Sequence, residues 1–198
     1  MKANVGMQHP VMALVDTYTP GSSISYKDSM VIAEAVSANI SWNRASDTFR
    51  GDDVELDSDN GVQGYTIEFE PSGLKDVVRA KMMGETLVNT EYEVNSTTPP
   101  DLGFGYMRVM RETNSSGVVE TTYEGWWFRK LKFGITSEET RTKNESIEWR
   151  VPTLTGVGVG VNLDNSGILK YAVHRTFSTG TDCITWLDNK AGIQAVTT

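Results

Sequence analysis

One short stretch, Gly64–Glu70, constrains the fold more than any other. In GYTIEFE the apolar Tyr65, Ile67 and Phe69 alternate with Thr66, Glu68 and Glu70. Strict period two puts the apolar row on one face of a β-strand and the carboxylates on the other. Such a strand belongs in a sheet with one face on a core. Upstream, Ile40–Arg44 reads as its partner, which makes Ile40–Glu70 a long β-hairpin. The connection, residues 44–60, is long and charged. It holds Arg44, Asp47 and Arg50, then Asp52, Asp53, Glu55, Asp57 and Asp59, five acids in eight positions. After the return strand, Pro71-Ser72-Gly73 breaks the extended chain, and a helix is predicted over 72–83 with Ser72 as its cap. Leu74, Val77, Val78 and Met82 would share one face. Arg79 and Lys81 in the last turn and Gly84 beyond it suit a helix end.

The rest of the chain reads mainly as strands and turns. Residues 1–22, with Pro10 and Pro20 around VMALVDTY, are expected to form an N-terminal arm with one short strand or turn. Ser23–Ile40 supplies a strand or two, and 85–102 a loop. Gly103–Glu112 and Val118–Phe133 form a second hairpin around the turn Thr113–Gly117, and the second run carries Trp126 and Trp127. After a polar connection, Ser146–Val151 is a further strand, continued by Thr153–Val161. Leu169–Phe177 follows the turn Asn162–Gly167. Residues 178–198 read as a tail with Trp186 as its one large anchor. The expectation is a single, mainly β domain: a β-sandwich or partly closed barrel with one flanking helix, a long loop and terminal arms.

Little in the chain suggests catalysis. Gly156-Val-Gly-Val-Gly160 lacks the Gly-Lys-Ser/Thr of a phosphate-binding loop and reads as a strand. No H-E-x-x-H, C-x-x-C or G-x-S-x-G occurs, and His9 and His174 are the only histidines. Asp57-Ser-Asp59-Asn-Gly61 begins like a calcium loop, but Ile67 stands where the ligating Glu belongs. Neither a metal nor a cofactor is expected. The single cysteine, Cys183, reads as a buried structural thiol. Lys and Arg total 18 against 26 Asp and Glu, a net charge of −8, which is poorly suited to gripping phosphate. There is no apolar N-terminal run and no apolar span of membrane length, so synthesis and retention in a cytoplasm are expected.

The order FRGDD, DSDNG, GYTIEFE, short helix, MGE resembles the phi13-type major tail proteins, which are tail tube proteins of long-tailed, mostly non-contractile bacteriophages. A second match is TKNESIE over Thr142–Glu148 followed by Val151-Pro-Thr-Leu-Thr-Gly156. Together the motifs span about Ser23 to Val161. The resemblance implies a structural virion protein with the tail tube fold, assembled in the host cytoplasm into six-membered rings stacked as a hollow tube. It also implies contact with other tail proteins (tape measure, terminator, distal tail protein), DNA passing through the lumen without specific binding, and no reaction. Arg44, Asp47, Arg50, Asp52, Asp53, Glu55, Asp57 and Asp59 then become candidates for the contact between subunits. Glu68 and Glu70 become candidates for the lumen, and Trp126, Trp127 and Trp186 for anchors or interface. A carbohydrate-binding β-sandwich, using the Trp126–Trp127–Phe128 cluster to stack on sugars, is the alternative.

Overall fold

The structure, a computed structural model, describes residues 2–32, 34–45, 47–51, 54–59, 61–94, 98–113, 116–137 and 151–193. For residues 47–51 and 54–59 the backbone alone is described. The chain is mainly β. Its strands are β1 (Lys2–Thr19), β2 (Ser23–Val31), β3 (Ala35–Arg44), β4 (Asp47–Gly51), β5 (Val54–Asp59) and β6 (Val62–Pro71). After helix α1 (Asp76–Met83) come β7 (Thr86–Val88), β8 (Glu91–Glu93), β9 (Leu102–Thr113), β10 (Val119–Ser137), β11 (Thr153–Gly158) and β12 (Ala172–Phe177). Helix α2 (Gly180–Ala191) follows. One large antiparallel sheet runs β2-β1-β9-β10-β11-β6-β3, with β12 pairing the first half of β10 and β11 the second. The sheet curls until β3 comes up against β1, and just past β2 the Ile32 N–H donates to the Pro10 carbonyl at 2.9 Å, which extends the β1–β2 pairing. The result is a partly closed barrel.

The two expected hairpins are present: β3 pairs β6 from Ala35↔Pro71 to Arg44↔Val62, and β9 pairs β10 along most of its length. The alternation in Gly64–Glu70 has its expected outcome. Tyr65, Ile67 and Phe69 are fully buried in the inner core with Phe104, Phe128, Phe133 and Leu154, while Glu68 and Glu70 lie on the other face. The predicted strand Ser146–Val151 lies outside the described residues.

The N-terminal residues are not an arm. Lys2–Thr19 is an inner strand, held by β2 on one side and β9 on the other. Val11–Leu14 looks non-periodic because this part of the sheet is covered on both faces. Met12 and Leu14 enter the inner core, while Val11 and Ala13 point to an outer layer. Pro10 is accommodated where the register shifts between Gln8 and Val11, and His9 there has φ 52°.

Nor are residues 178–198 simply a tail. Thr179 accepts from Asp182 N–H at 3.2 Å and starts α2, which ends on Gly192 in the left-handed region. Cys183, Leu187 and Ala191, at i, i+4 and i+8, pack on Val11, Ala13, Met107 and Trp127. Among the described residues two helices therefore accompany the sheet, and α2 covers its outer face. In β9 the consequence is a division of labour: Leu102, Phe104 and Tyr106 face inward, while Gly103, Gly105 and Met107 face the α2 layer.

Helix α1 begins at Asp76, later than expected, with Lys75 and not Ser72 at the cap position. Its end at Gly84, φ 74°, is as read from the sequence. Val78 and Met82 reach the inner core with Leu74 beside them, but Val77 is 52% exposed and Ala80 is buried in its place. Within 85–102, read as loop, β7 and β8 form a small hairpin.

Candidate assembly surface

The long connection between β3 and β6 is folded. Past Arg44↔Val62, Ala45 N–H donates to the Gly61 carbonyl at 2.8 Å, and β4 then pairs β5. The hairpin thus runs on as a two-stranded ribbon, roughly 17 Å long at about 3.4 Å per residue. Its register sets Asp47 opposite Asp59, Phe49 opposite Asp57, and Arg50 opposite Glu55. Asp52 and Asp53, at the tip, lie outside the described residues. Arg44, at the base, is exposed.

Glu68 and Glu70 stand on the outward face of the same hairpin. Ser37 Oγ donates to Glu70 Oε2 at 2.8 Å, and Asn39 Nδ2 to Glu68 Oε2 at 3.4 Å. Thr155 of β11 is directly across from Glu68. The face is therefore a row of small polar groups and carboxylates. It has the opposite character to the aromatic core a strand's thickness away.

The three tryptophans do not form a shared platform. Trp127 is buried, edge-on to Tyr26 at 5.2 Å, and its Nε1 donates to Tyr26 Oη at 3.4 Å. It anchors the outer layer. Trp126, on the inner face, is stacked against His174 at 4.6 Å, with the Arg108 guanidinium 5.0 Å from its ring centre. Trp186 packs from α2 onto Phe177 at 5.8 Å and lies over Gly125. His174 is half exposed and 3.4 Å from Glu124. Cys183 is buried, and burial raises its thiol to about 11, so it is a packing residue and a poor nucleophile.

Another apolar group was not singled out from the sequence. Val157 (56%), Val159 (50%) and Ile168 (67%) are exposed. The VGVGV pattern around them could be read with either row inward. The glycines turn inward because the space is already taken: a Cβ on Gly156 would be 2.7 Å from Phe133, and one on Gly158 would be 2.0 Å from the Tyr65 ring. Val157 and Val159 are therefore left facing solvent, whereas Val161, past the end of β11, is buried. They adjoin the polar face, since Val157 pairs with Thr66, beside Glu68.

Both ends of the sheet order are open. Among the described residues β2 pairs only with β1, and β3 only with β6. An unpaired edge is a template for another strand. Among the described residues no cluster of three or more His, Cys, Asp or Glu is arranged to hold a metal ion. No family model matches the chain, and no curated protein does.

Proposed function

We propose that this protein is a structural subunit of a phage tail tube. In this reading subunits close into six-membered rings, and the rings stack into the conduit through which DNA leaves. The observation that carries the reading is the outermost hairpin. Among the described residues no further strand pairs its β3 edge, and it runs on beyond the sheet as the acid-rich β4–β5 ribbon. A free edge that is satisfied by the next subunit ceases to be an aggregation hazard once rotation closes the ring. The ribbon, from Asp47 to Asp59 with Arg44 at its base, is the reach to a neighbouring subunit or ring. Exposed Val157 and Val159 add apolar area to such a contact. The row of Glu68 and Glu70 lines the lumen, where carboxylates repel DNA phosphate, and the net charge of −8 suits a surface that DNA must pass without sticking. The subunit sits in the virion tail alongside the tape measure, terminator and distal tail proteins, after assembly in the host cytoplasm. It carries out no reaction and needs no cofactor.

The carbohydrate-binding alternative has less support, because Trp127 is core and His174 and Arg108 cover Trp126. Negative-stain electron microscopy of the purified protein over a concentration series separates the two. Six-fold rings or hollow tubes are expected. A monodisperse monomer throughout the series that binds glycans saturably would overturn the tube reading. Deleting residues 46–58 should leave a folded domain that no longer forms tubes, and normal tubes from that deletion would remove the ribbon from the mechanism.

A further inference from the structure

The wall of the barrel has a gap. Among the described residues β2 pairs β1 only from Val11 to Thr19, so the first half of β1 pairs with β9 alone. On its open side β3 comes close without pairing to it. In this gap lies a cavity of about 230 Å³, walled by Asn4 and Met7 of β1, Ser37 and Ala38 of β3, and Tyr106 and Arg108 of β9. Met7 and Arg108 are directly opposite in the β1–β9 ladder, and Tyr106 is two residues from Arg108, so all three share the inner face. Arg108 Nη2 donates to Tyr106 Oη at 2.8 Å, which sets the guanidinium at the hydroxyl end of a ring that itself lines the cavity.

Two donors here lack the partner their chemistry calls for. Arg108 is half-buried, and among the described residues no acid forms an ion pair with it. Glu124, directly across from it in the β9–β10 ladder, lies instead 3.4 Å from His174 Nδ1. Ser37 Oγ, at the cavity's edge, is turned to Glu70. Tyr106 is buried, and its hydroxyl accepts from Arg108 but gives its own proton to no acceptor among the described residues. A guanidinium without an anion and a buried hydroxyl without an acceptor are both costly, and native folds seldom keep them without a reason. One carboxylate would serve both, with one oxygen on each donor.

We propose that this cavity receives a carboxylate from the β4–β5 ribbon of a second copy of this chain. The proposal rests on the reading of the ribbon as an assembly device and names the surface that receives it. Charge selects the occupant: residues 47–59 hold Asp47, Asp52, Asp53, Glu55, Asp57 and Asp59 against Arg50 alone, and a guanidinium is the donor best matched to a carboxylate. Position excludes the chain's own ribbon. The ribbon leaves the sheet past Arg44, whereas the cavity lies beside Ser37 and Ala38, about 20 Å back along β3 at ~3.4 Å per residue. The ribbon thus continues the hairpin away from the cavity. A reach at one end and a receptor at the other make a heterologous, head-to-tail contact that repeats from copy to copy. Such a contact stacks rings, while the β3 edge closes each ring.

The test uses two variants with complementary defects, followed by sedimentation velocity. Arg108→Met keeps the ribbon and loses the guanidinium, whereas deletion of residues 46–58 keeps the cavity and loses the ribbon. Each alone should self-associate at least about tenfold more weakly than the wild type. Mixed, they should form a complex with one copy of each, because the ribbon of the first enters the cavity of the second and the series of contacts then stops. Tyr106→Phe, which takes away only a hydroxyl, should weaken association in the same direction and guards against a loss that reflects misfolding. Undiminished association of Arg108→Met and Tyr106→Phe, a mixture no more associated than its components, or a wild type that stays monomeric would overturn the assignment. Electron microscopy separates this contact from the tail tube reading. Normal tubes from Arg108→Met would remove the cavity and leave the tube. A one-to-one mixed complex, with no rings or tubes from the wild type, would keep the head-to-tail contact and remove the tube.

Discussion

Replacing Gly105 by alanine tests the two-layer packing most directly. Gly105 lies in β9 with its open side toward the outer layer. A Cβ there would stand 2.7 Å from Trp127 Cε3, 2.8 Å from the Trp126 carbonyl oxygen and 3.0 Å from Leu187 Cδ2. Carbon contacts are comfortable at about 3.5–4.0 Å, so all three neighbours would have to retreat. The carbonyl cannot do so easily, because Trp127 and Gly105 are paired in the β9–β10 ladder. Either Trp127 leaves its rotamer or α2 lifts from the sheet, and overpacking of this kind costs about 1–3 kcal/mol. Gly134→Ala is the matched control. Gly134 is also in an inner strand, with no atom within 4 Å of the added Cβ and no positive φ. There the substitution should stabilise by about 0.4–1 kcal/mol through the unfolded chain. Urea unfolding followed by tryptophan fluorescence, with unchanged m-values, should therefore separate the two variants by about 2 kcal/mol or more. If they fall within about 0.5 kcal/mol of each other, the close seating of α2 on β9 is wrong.

Thr179→Ala removes the side chain that accepts from Asp182 N–H at the start of α2, and should lower stability by about 1 kcal/mol in the same assay, with Thr179→Ser restoring most of it. Burial pushes the hydroxyls of Tyr65, Tyr106 and Tyr26 above the ordinary value of 10.0. Each raised native value means the unfolded chain loses its proton first, so this stability is intact below about pH 10 and falls as pH rises beyond it. Absorbance titration should show these three tyrosines ionising only with unfolding, whereas titration alongside the exposed tyrosines would refute their burial. Lys170 and Ser166 hold the Asp164 carboxyl down to about 2 in the turn before β12. Lys170→Met should return it toward 3.8, as read by carboxyl NMR during acid titration.

Local chemistry made much of this fold legible. The hairpins around Gly64–Glu70 and around Thr113–Gly117 needed only alternation and turn residues. The end of α1 at Gly84 needed only a residue tolerant of the left-handed region. The signal for α2 was also present: a Thr179–Asp182 cap and an apolar line through Cys183, Leu187 and Ala191. It was masked because Gly180, Thr181 and Thr185 favour a helix weakly, so the helix depends on the sheet face it covers. Of the candidate assembly residues, Glu68 and Glu70 were readable as an outward row. The ribbon at Asp47–Asp59 was not, since acids and glycine there suggest a loop and only the register of the long hairpin continues the pairing.

Sequence alone determined which residues alternate, where the chain must turn, and that the domain is mainly β, because those properties depend on neighbours one to four positions away. Only the tertiary structure decided that Val11–Leu14 is an inner strand and that the valines at 157 and 159 face outward. It also decided that Arg129 and Lys190 border one cavity. The physical reason is the same in each case. An apolar run buried on two faces has no period, an alternating Gly-Val strand has no preferred side until aromatic rings occupy one of them, and a cavity between β10 and α2 exists only once a helix has settled on a sheet.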